Sequence, residues 1–199
     1  MTEIPVASIL DAARAQFLRT GVRRTSGDDI ARSAGINRAT LYRRVGTKGE
    51  IVRRTYLQET ERVLAAIEAA IGPVPAPGTP GFDAAAYVVD FFTVTITQVR
   101  DNPLLQQLLE IDQDDTLVAL TLSAGETLTL SAALVADRIR SLRAHADNPA
   151  TDDVDDLAGT LARLTQSFVL TPSAPPVLDS KAQMAAYARA VIVPMILGR

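Results

Sequence analysis

The chain has 199 residues, 47% hydrophobic and 22% charged, so it can bury a sizeable core and is not expected to be disordered. It contains no cysteine and one histidine, which excludes disulfides, thiol catalysis and metal sites built from several histidines. No apolar run approaches the ~20 residues of a membrane-spanning helix, and the first residues do not resemble a secretory signal. We therefore expect a cytoplasmic protein with no membrane partner.

The net charge of −3 hides an uneven distribution along the chain. Residues 1–62 hold 12 basic and 7 acidic residues, a net charge of +5, whereas the rest of the chain carries −8. A basic head on an acidic body indicates that one end contacts a polyanion. The alternative is that the arginines of this head lie on solvated helix faces, which would suffice to explain a weaker charge asymmetry.

Hydrophobic residues recur at helical spacing along the whole chain, which predicts an all-α fold. Runs of β-branched residues at 93–97 and 127–130 favour strands locally, but each lies inside a longer helical pattern. Glycine and proline dominate residues 72–81 and mark a loop. Capping residues, glycines and prolines set the ends of the predicted helices, which cover about 5–20 (ended by Gly21), 27–34, 37–45, 47–71, 82–100, 103–111, 115–146 (broken around 123–125), 152–170 and 180–197.

Two short helices, over 27–34 and 37–45, are joined by a very short link at Gly35 to Asn37. Preceded by another helix, this is the arrangement that presents a second helix to the major groove of DNA. Helical spacing turns Leu41 and Val45 inward and Ala39 and Arg43 outward. The same pattern also fits an ordinary solvated amphipathic helix, and charge and spacing alone do not decide between the two.

The outward face of the second short helix carries three kinds of group suited to DNA. Arg38 and Arg43 can fork onto guanine, and Ala39 is small enough to meet a thymine methyl. Hydroxyl and ammonium groups nearby can bind phosphates, as can the start of the first short helix. The candidate DNA-binding residues are Ser26, Asn37, Arg38, Ala39, Thr40, Tyr42, Arg43, Arg44 and Lys48.

The segment from Thr25 to Lys48 closely resembles the DNA-binding signature of the TetR family of bacterial transcription regulators. Beyond this first quarter of the chain, only the length and the helical layout agree. Val45 stands where phenylalanine is usual, which changes the packing beneath the second helix, and Asn37 stands where serine is commonest. The matching positions are Asp29, Ile30, Ala31, Ala34, Gly35, Thr40, Leu41, Tyr42 and Lys48.

The resemblance implies an N-terminal three-helix helix-turn-helix domain over residues 1–50 and a C-terminal helical effector-binding and dimerisation domain over 51–199. It further implies a homodimer that binds a palindromic DNA operator, usually as a repressor, and releases it when a small molecule binds. A dimer is also expected because one three-helix head makes a small DNA interface.

Two apolar stripes near 152–170 and 180–197 can pair with a second copy as a four-helix bundle, or can face their own core. The pattern leaves both possibilities open, and the family resemblance favours the interface. The candidate dimer residues are Leu157, Leu161, Leu164, Met184, Tyr187, Val191 and Met195.

The predicted helix over 82–100 is apolar nearly all round and must be buried. Its aromatic residues and the leucines that follow can line a cavity or fill a core; the resembled family has its effector site among these helices. Few charges lie there, which favours a mostly apolar effector, with Tyr87 able to supply one hydrogen bond. The candidate ligand residues are Tyr87, Phe91, Phe92, Leu105, Leu108, Leu109 and Phe168.

Other chemistry is not expected. Asp112, Asp114 and Asp115 lack the glycine and glutamate of a calcium loop, and helix capping accounts for them. His145 is expected at the surface near a helix end. We predict no metal, no cofactor and no enzyme activity, while an all-helical enzyme with a dispersed site and a helical protein-binding adaptor remain the alternatives.

Overall fold

A computed structural model of the chain describes residues 4–145 and 153–198, which contain helices and no strand. The all-α prediction is confirmed, and the β-branched runs lie within helices. Two predicted helix ends, at 146 and 152, lie outside the described residues. The elements are α1 (Val6–Arg24), α2 (Gly27–Ser33), α3 (Arg38–Val45), α4 (Lys48–Ile71), α5 (Ala84–Arg100), α6 (Pro103–Ile111), α7 (Gln113–Leu120), α8 (Gly125–Arg143), α9 (Val154–Leu170), α10 (Lys181–Tyr187), a π-helical turn (Ala188–Ile192) and α11 (Val193–Leu197).

The helices form two compact units. Unit 1 comprises Met1–Arg62 with Asp101–Thr127, and unit 2 comprises Val63–Arg100 with Leu128–Arg199. The expected domains, 1–50 and 51–199, are each one continuous segment of the chain. Each compact unit instead combines two separate segments. The reason is that α6 and α7 pack with the N-terminal helices.

The core of unit 1 combines the helix-turn-helix with α6. Phe17 of α1, Ile30 of α2 and Leu41 of α3 are fully buried together. Leu104 and Leu108 of α6 complete the same cluster. The apolar stripe of α6 therefore stabilises the unit that carries α3.

The prediction that the first helix ends at Gly21 is confirmed by the backbone, which leaves the helical region at this residue. Gly21 has φ 80° and ψ 170°, and a further helical turn follows it up to Arg24. The hydroxyl of Thr25 donates to the carbonyl of Gly21 at 2.5 Å and closes this turn. A glycine occupies this interruption because a positive φ is costly for any other residue.

Unit 2 is built around α5. Val88, Val89, Phe92 and Ile96 are buried in a core shared with α8, α9 and the C-terminal helices. Arg100, at the end of α5, donates to the carbonyl oxygens of Phe168 and Leu178 at 3.1 and 2.6 Å. The prediction that this helix is buried is confirmed for its inner face, whereas Ala86 and Asp90 on the same helix are exposed.

The predicted helix over 180–197 contains a π-helical turn at Ala188–Ile192. Pro194 follows the turn, and its ring cannot fit the carbonyl four residues earlier in a regular α-helix. The N–H of Val193 instead donates to the carbonyl of Ala188, five residues back. The wider turn thus admits proline without ending the helix.

His145 lies near the end of α8, as expected, and its side chain is half-buried. Its Nε2 lies 2.9 Å from the carbonyl oxygen of Pro75, and its ring centroid is 4.7 Å from that of Phe82. A carbonyl only accepts hydrogen bonds, so Nε2 carries the proton. The histidine joins the end of α8 to the loop over 72–81.

Across the described ranges, no single helix is long and apolar enough to cross a membrane. Helices α7 and α8 pass that test only together, as a bent pair, and only by length and composition.

Candidate DNA-binding surface

Local capping interactions fix the relation between α2 and α3. Ser26 and Asp29 form a reciprocal capping box at the start of α2. At its end, Gly35 adopts φ 67°, and the N–H of Ile36 donates to the carbonyl of Ala31 at 3.0 Å. This is a Schellman motif, which ends one helix and turns the chain toward the next.

Helix α3 begins at a side-chain cap and ends at an arginine cap. The Oδ1 of Asn37 accepts from the N–H of Thr40 at 2.8 Å. Arg54 of α4 donates to the carbonyl of Val45, at the C-terminal end of α3, at 3.3 Å. Both ends of this short helix are therefore held without help from a ligand.

The predicted inner and outer faces of α3 are confirmed. Leu41 and Val45 are 0% and 4% exposed. Asn37, Arg38, Ala39 and Arg43 are exposed, and Thr40, Tyr42, Arg44 and Lys48 are half-buried. The outward positions form a surface with three arginines and one lysine, which suits an anionic partner.

Ser26, a candidate phosphate contact, uses its side chain in the cap of α2. Its hydroxyl donates to a carboxylate oxygen of Asp29 at 2.6 Å, and its oxygen accepts from the N–H of Asp29 at 3.2 Å. The Ser26 hydroxyl, together with the Ser26 backbone N–H that donates to the same carboxylate at 3.0 Å, lowers the pKa of Asp29 below its ordinary value, so the carboxylate stays ionised. In the free chain, the one hydroxyl proton of Ser26 is thus used by the cap.

The side chain of Arg38 is held between two neighbours. Its Nη1 donates to Asp28 of α2 at 2.9 Å. Its guanidinium carbon lies 5.4 Å from the centroid of the Tyr42 ring, within the range of a cation–π contact. The first residue of α3 is therefore linked to α2 and to the next turn of its own helix.

The beginning of α4 provides a further cation. Lys48 Nζ lies 3.5 Å from the carbonyl oxygen of Arg23, at the end of α1. Thr47 and Glu50 form the capping pair predicted for this helix, with the N–H of Thr47 donating to Glu50 at 2.6 Å. That hydrogen bond lowers the pKa of Glu50.

Two polar contacts that fasten α6 inside unit 1 are not predicted from the sequence. At the N-terminal end, Asn102 caps α6 and donates to Glu59 of α4 at 2.8 Å. Arg14 of α1 donates to the same carboxylate through Nε and Nη2, at 2.5 and 2.9 Å. The network joins α1, α4 and α6 around one carboxylate.

At the C-terminal end of α6, Asp112 accepts from the backbone N–H groups of Val22 and Arg23. Helix capping is expected of Asp112, and the N–H groups that its carboxylate caps belong to α1; its side chain makes no cap hydrogen bond to α7. It instead satisfies the N–H groups exposed where Gly21 breaks α1. Asp115 adds an ion pair with Arg23 at 3.1 Å.

The candidate ligand residues divide between the units. Leu105, Leu108 and Leu109 lie on α6 in unit 1, and Leu108 is fully packed in its core. The aromatic candidates lie in unit 2, where the rings of Phe92 and Phe168 meet edge to face with centroids 6.2 Å apart. The structure therefore gives Leu108 a packing role.

The aromatic residues of unit 2 form two groups. Phe92, Phe168 and Tyr187 make a three-ring cluster with centroid distances of 5.6 to 6.2 Å. Tyr87 stacks beside Phe91 at 6.5 Å. The Tyr87 hydroxyl donates to the carbonyl of Gly72 at 2.8 Å, so its proton, expected to be available to a ligand, is already used.

The candidate dimer residues lie on α9 and the C-terminal helices and contribute to the core of unit 2. Leu161 and Met184 are buried within the single chain. The remaining candidates, Leu157, Leu164, Tyr187, Val191 and Met195, are half-buried and keep part of their surface accessible.

This helix-turn-helix, with basic residues on the outward face of its second helix, defines a class of DNA-binding proteins. A family model described as bacterial regulatory proteins, tetR family, matches residues 9–55. A second, described as the tetracyclin repressor C-terminal domain, matches residues 83–192, more than half of the chain. The chain belongs to the TetR family of bacterial transcription regulators. It is a transcription regulator and not an enzyme.

Individual relatives agree with this assignment. An HTH-type transcriptional regulator of Mycobacterium tuberculosis is 29% identical over 194 residues, covering 97% of this chain and 88% of its own. The crystal structure of the TetR family repressor AlkX from Dietzia sp. aligns with a TM-score of 0.69 at 22% identity, covering 96% and 95% of the two chains. The repressor QsdR from R. erythropolis aligns with a TM-score of 0.65 at 21% identity, covering 96% and 93%. At these identities, the two structures show the shared fold.

Proposed function

We propose that the chain is a ligand-responsive repressor that acts in the cytoplasm. It binds a palindromic DNA operator as a homodimer and releases it when a small, mostly apolar effector binds. The observation that carries the proposal is the outward face of α3, where Arg38, Ala39 and Arg43 are exposed on a helix whose other face is buried. Such a helix can enter the major groove with its core contacts intact.

Dimerisation through α9 and the C-terminal helices is supported by the surface that these helices keep accessible. Leu157, Leu164 and Val191 are half-buried, and Ala182, Ala186 and Ala190 are exposed on the outer side of the C-terminal helices. Two heads on adjacent half-sites provide the affinity and selectivity that one small head lacks.

The apolar character of the effector is supported by the three-ring cluster of Phe92, Phe168 and Tyr187 around α5. A molecule that binds among these rings would meet aromatic surface with few charges, which favours neutral aliphatic or aromatic molecules. AlkX, which shares the fold, is described as implicated in biodegradation of n-alkanes. That description fits an apolar effector class for this chain as well.

Coupling between effector and DNA is supported by the link between α5 and α6. Arg100 anchors the end of α5 within unit 2, and Asn102 anchors the start of α6 within unit 1. Only Asp101 lies between these two anchors. The helix around which the effector is proposed to bind is therefore joined to α6 by a link of one residue in the chain.

The proposal is tested by titrating a fluorescent operator complex with a library of neutral aliphatic and aromatic compounds, with citrate as a polyanionic control. At least one apolar compound is expected to weaken operator binding by about 5- to 150-fold, and citrate is not. Operator DNA should weaken binding of that compound by the same factor. If the whole apolar library leaves operator affinity and thermal stability unchanged, effector control is contradicted while DNA binding stands.

A further inference from the structure

We propose that Asp28 is a positioning residue that holds Arg38 in the orientation in which it reads one base pair of each half-site. The inference rests on the proposed function, in which α3 enters the major groove. It assigns a role in sequence preference to a carboxylate on α2, outside the recognition helix.

The first observation is the direction of the ion pair. Asp28 lies in the first turn of α2 and Arg38 is the first residue of α3, so the pair spans the turn between the two helices. The contact of 2.9 Å uses Nη1 of the guanidinium. A guanidinium has five N–H donors in a fixed plane, so a carboxylate on Nη1 orients the edge that can fork onto guanine.

The second observation is the aromatic platform beneath the guanidinium. Tyr42 lies one turn along α3, with its ring centroid 5.4 Å from the guanidinium carbon of Arg38. The Tyr42 hydroxyl reaches α2, where a Cβ placed on Gly27 would lie only 2.2 Å from it. Any larger residue at position 27 would displace the Tyr42 ring. The ring thus restrains the Arg38 guanidinium on one side, and Asp28 restrains it on another.

The energetics point to orientation and not to folding stability. The side chains of Arg38 and Asp28 are 61% and 52% exposed, and an ion pair this exposed stabilises a fold very little. A carboxylate beside the DNA-facing helix also repels phosphates. Asp28 is thus expected to weaken binding to DNA of any sequence while sharpening the preference at one position.

Affinity for unrelated DNA and preference at one position together distinguish two roles for Asp28. It either positions Arg38 or only neutralises its charge, which we call masking. If Asp28 only masked Arg38, removing its charge would strengthen specific binding and increase discrimination. If Asp28 positions Arg38, removing its charge strengthens binding to unrelated DNA but reduces discrimination, because Arg38 must then be ordered when it binds.

The test compares Asp28→Asn with wild type on the selected operator and on the same operator changed at the base pair identified by Arg38→Ala. The ratio of the two affinities is expected to fall by roughly 2- to 10-fold. This fold-change corresponds to the cost of ordering one long side chain on binding. Affinity for unrelated DNA is expected to rise. In the Arg38→Ala background, Asp28→Asn should leave the ratio unchanged.

Glu61→Gln provides a charge-matched control, because Glu61 is exposed on α4 and the substitution removes the same single charge. It should leave the ratio as in wild type. An unchanged or increased ratio in Asp28→Asn overturns the inference, as does an Arg38→Ala variant that keeps full preference at every position. A wild-type protein that selects no sequence overturns the proposed function itself, so the two failures are distinguishable.

Discussion

At the scale of single residues, α3 divides into buried positions that hold the helix and exposed positions that we propose meet DNA. Leu41 and Val45 are fixed in the core of unit 1, whereas Arg38 and Arg43 are exposed. Residues that read bases and residues that contact phosphates leave different signatures in binding data. We propose that Arg43 reads bases and that Lys48 contacts phosphates.

Arg43→Ala is expected to cost about 1–3 kcal/mol of binding free energy on the selected operator and to relax preference at one position per half-site. Lys48→Ala should weaken binding to all sequences alike and flatten the salt dependence by about one unit. Fluorescence anisotropy at several salt concentrations measures both effects. Equal losses on all sequences for Arg43→Ala would contradict its role in base recognition.

Glu59 makes the stability of unit 1 depend on pH. Burial would raise its pKa, but hydrogen bonds from Arg14 and Asn102 outweigh burial and hold the pKa below its ordinary value of 4.5. Because the pKa is lower in the folded chain, ionised Glu59 stabilises the fold at pH values above 4.5. This contribution is lost as the pH falls through the folded-state pKa.

Glu59→Gln is therefore expected to lower the free energy of unfolding at neutral pH, and its difference from wild type should shrink as the pH falls below about 4.5. Urea denaturation across this pH range measures the difference. The exposed Glu61→Gln on the same helix is the control and should follow wild type. A Glu59→Gln defect that is constant with pH would contradict the assignment.

At the scale of elements, α6 belongs to the DNA-binding unit although it follows the loop over 72–81. Asn102 fastens its start to Glu59, and Asp112 fastens its end to the broken last turn of α1. The leucines between these two ends fill the core beneath α1. Gly21 makes this arrangement possible.

Gly21→Ala is expected to destabilise the chain by about 1–3 kcal/mol, because Gly21 has φ 80° and a Cβ there would lie 2.3 Å from an oxygen of Asp112. Gly159→Ala is the matched control: it lies inside α9 with open space around it, and alanine there should stabilise the chain by about 0.4–1 kcal/mol. Urea denaturation compares the two. Equal effects would contradict the role of Gly21.

The sequence predicts the elements well where their signals are local. Caps at Ser26, Asn37 and Thr47 bond to backbone groups within three residues, so spacing alone locates the starts of α2 and α3 and of α4. Asp112 carries no such signal, because its partners lie about 90 residues earlier in the chain. Nothing in the local pattern of Asp112 distinguishes a cap for a distant helix from a cap for its own.

Periodicity also shows that a face is buried without showing what covers it. The apolar stripe containing Leu108 is expected to line a cavity or fill a core beside the aromatic residues of α5. The structure packs it in the core of unit 1. The same ambiguity affects Leu161 and Met184, which are buried within their own unit.

At the scale of the whole molecule, the proposed dimer is what places two α3 helices on one operator. The exposed side of the C-terminal helices carries alanines, so a charge can be added there without disturbing the core of the single chain. An interface that buries this side would leave such a charge unpaired, which is strongly destabilising.

Ala186→Glu is therefore expected to convert a dimer into a folded monomer at micromolar concentration, with loss of operator binding. Ala133→Glu, at an exposed position of α8, is the control and should remain dimeric. Sedimentation velocity measures both, and circular dichroism checks the fold. A wild-type monomer would contradict the proposed dimer, and a dimeric Ala186→Glu would exclude this helix face from it.

The most direct test of the central claim is selection of bound DNA from a random pool, performed with wild type and with a variant combining Arg38→Ala, Tyr42→Ala and Arg43→Ala. Wild type is expected to enrich an inverted repeat with half-sites about one helical turn apart, and the variant is expected to enrich none. Footprints on the selected DNA that survive all three substitutions would contradict recognition through α3.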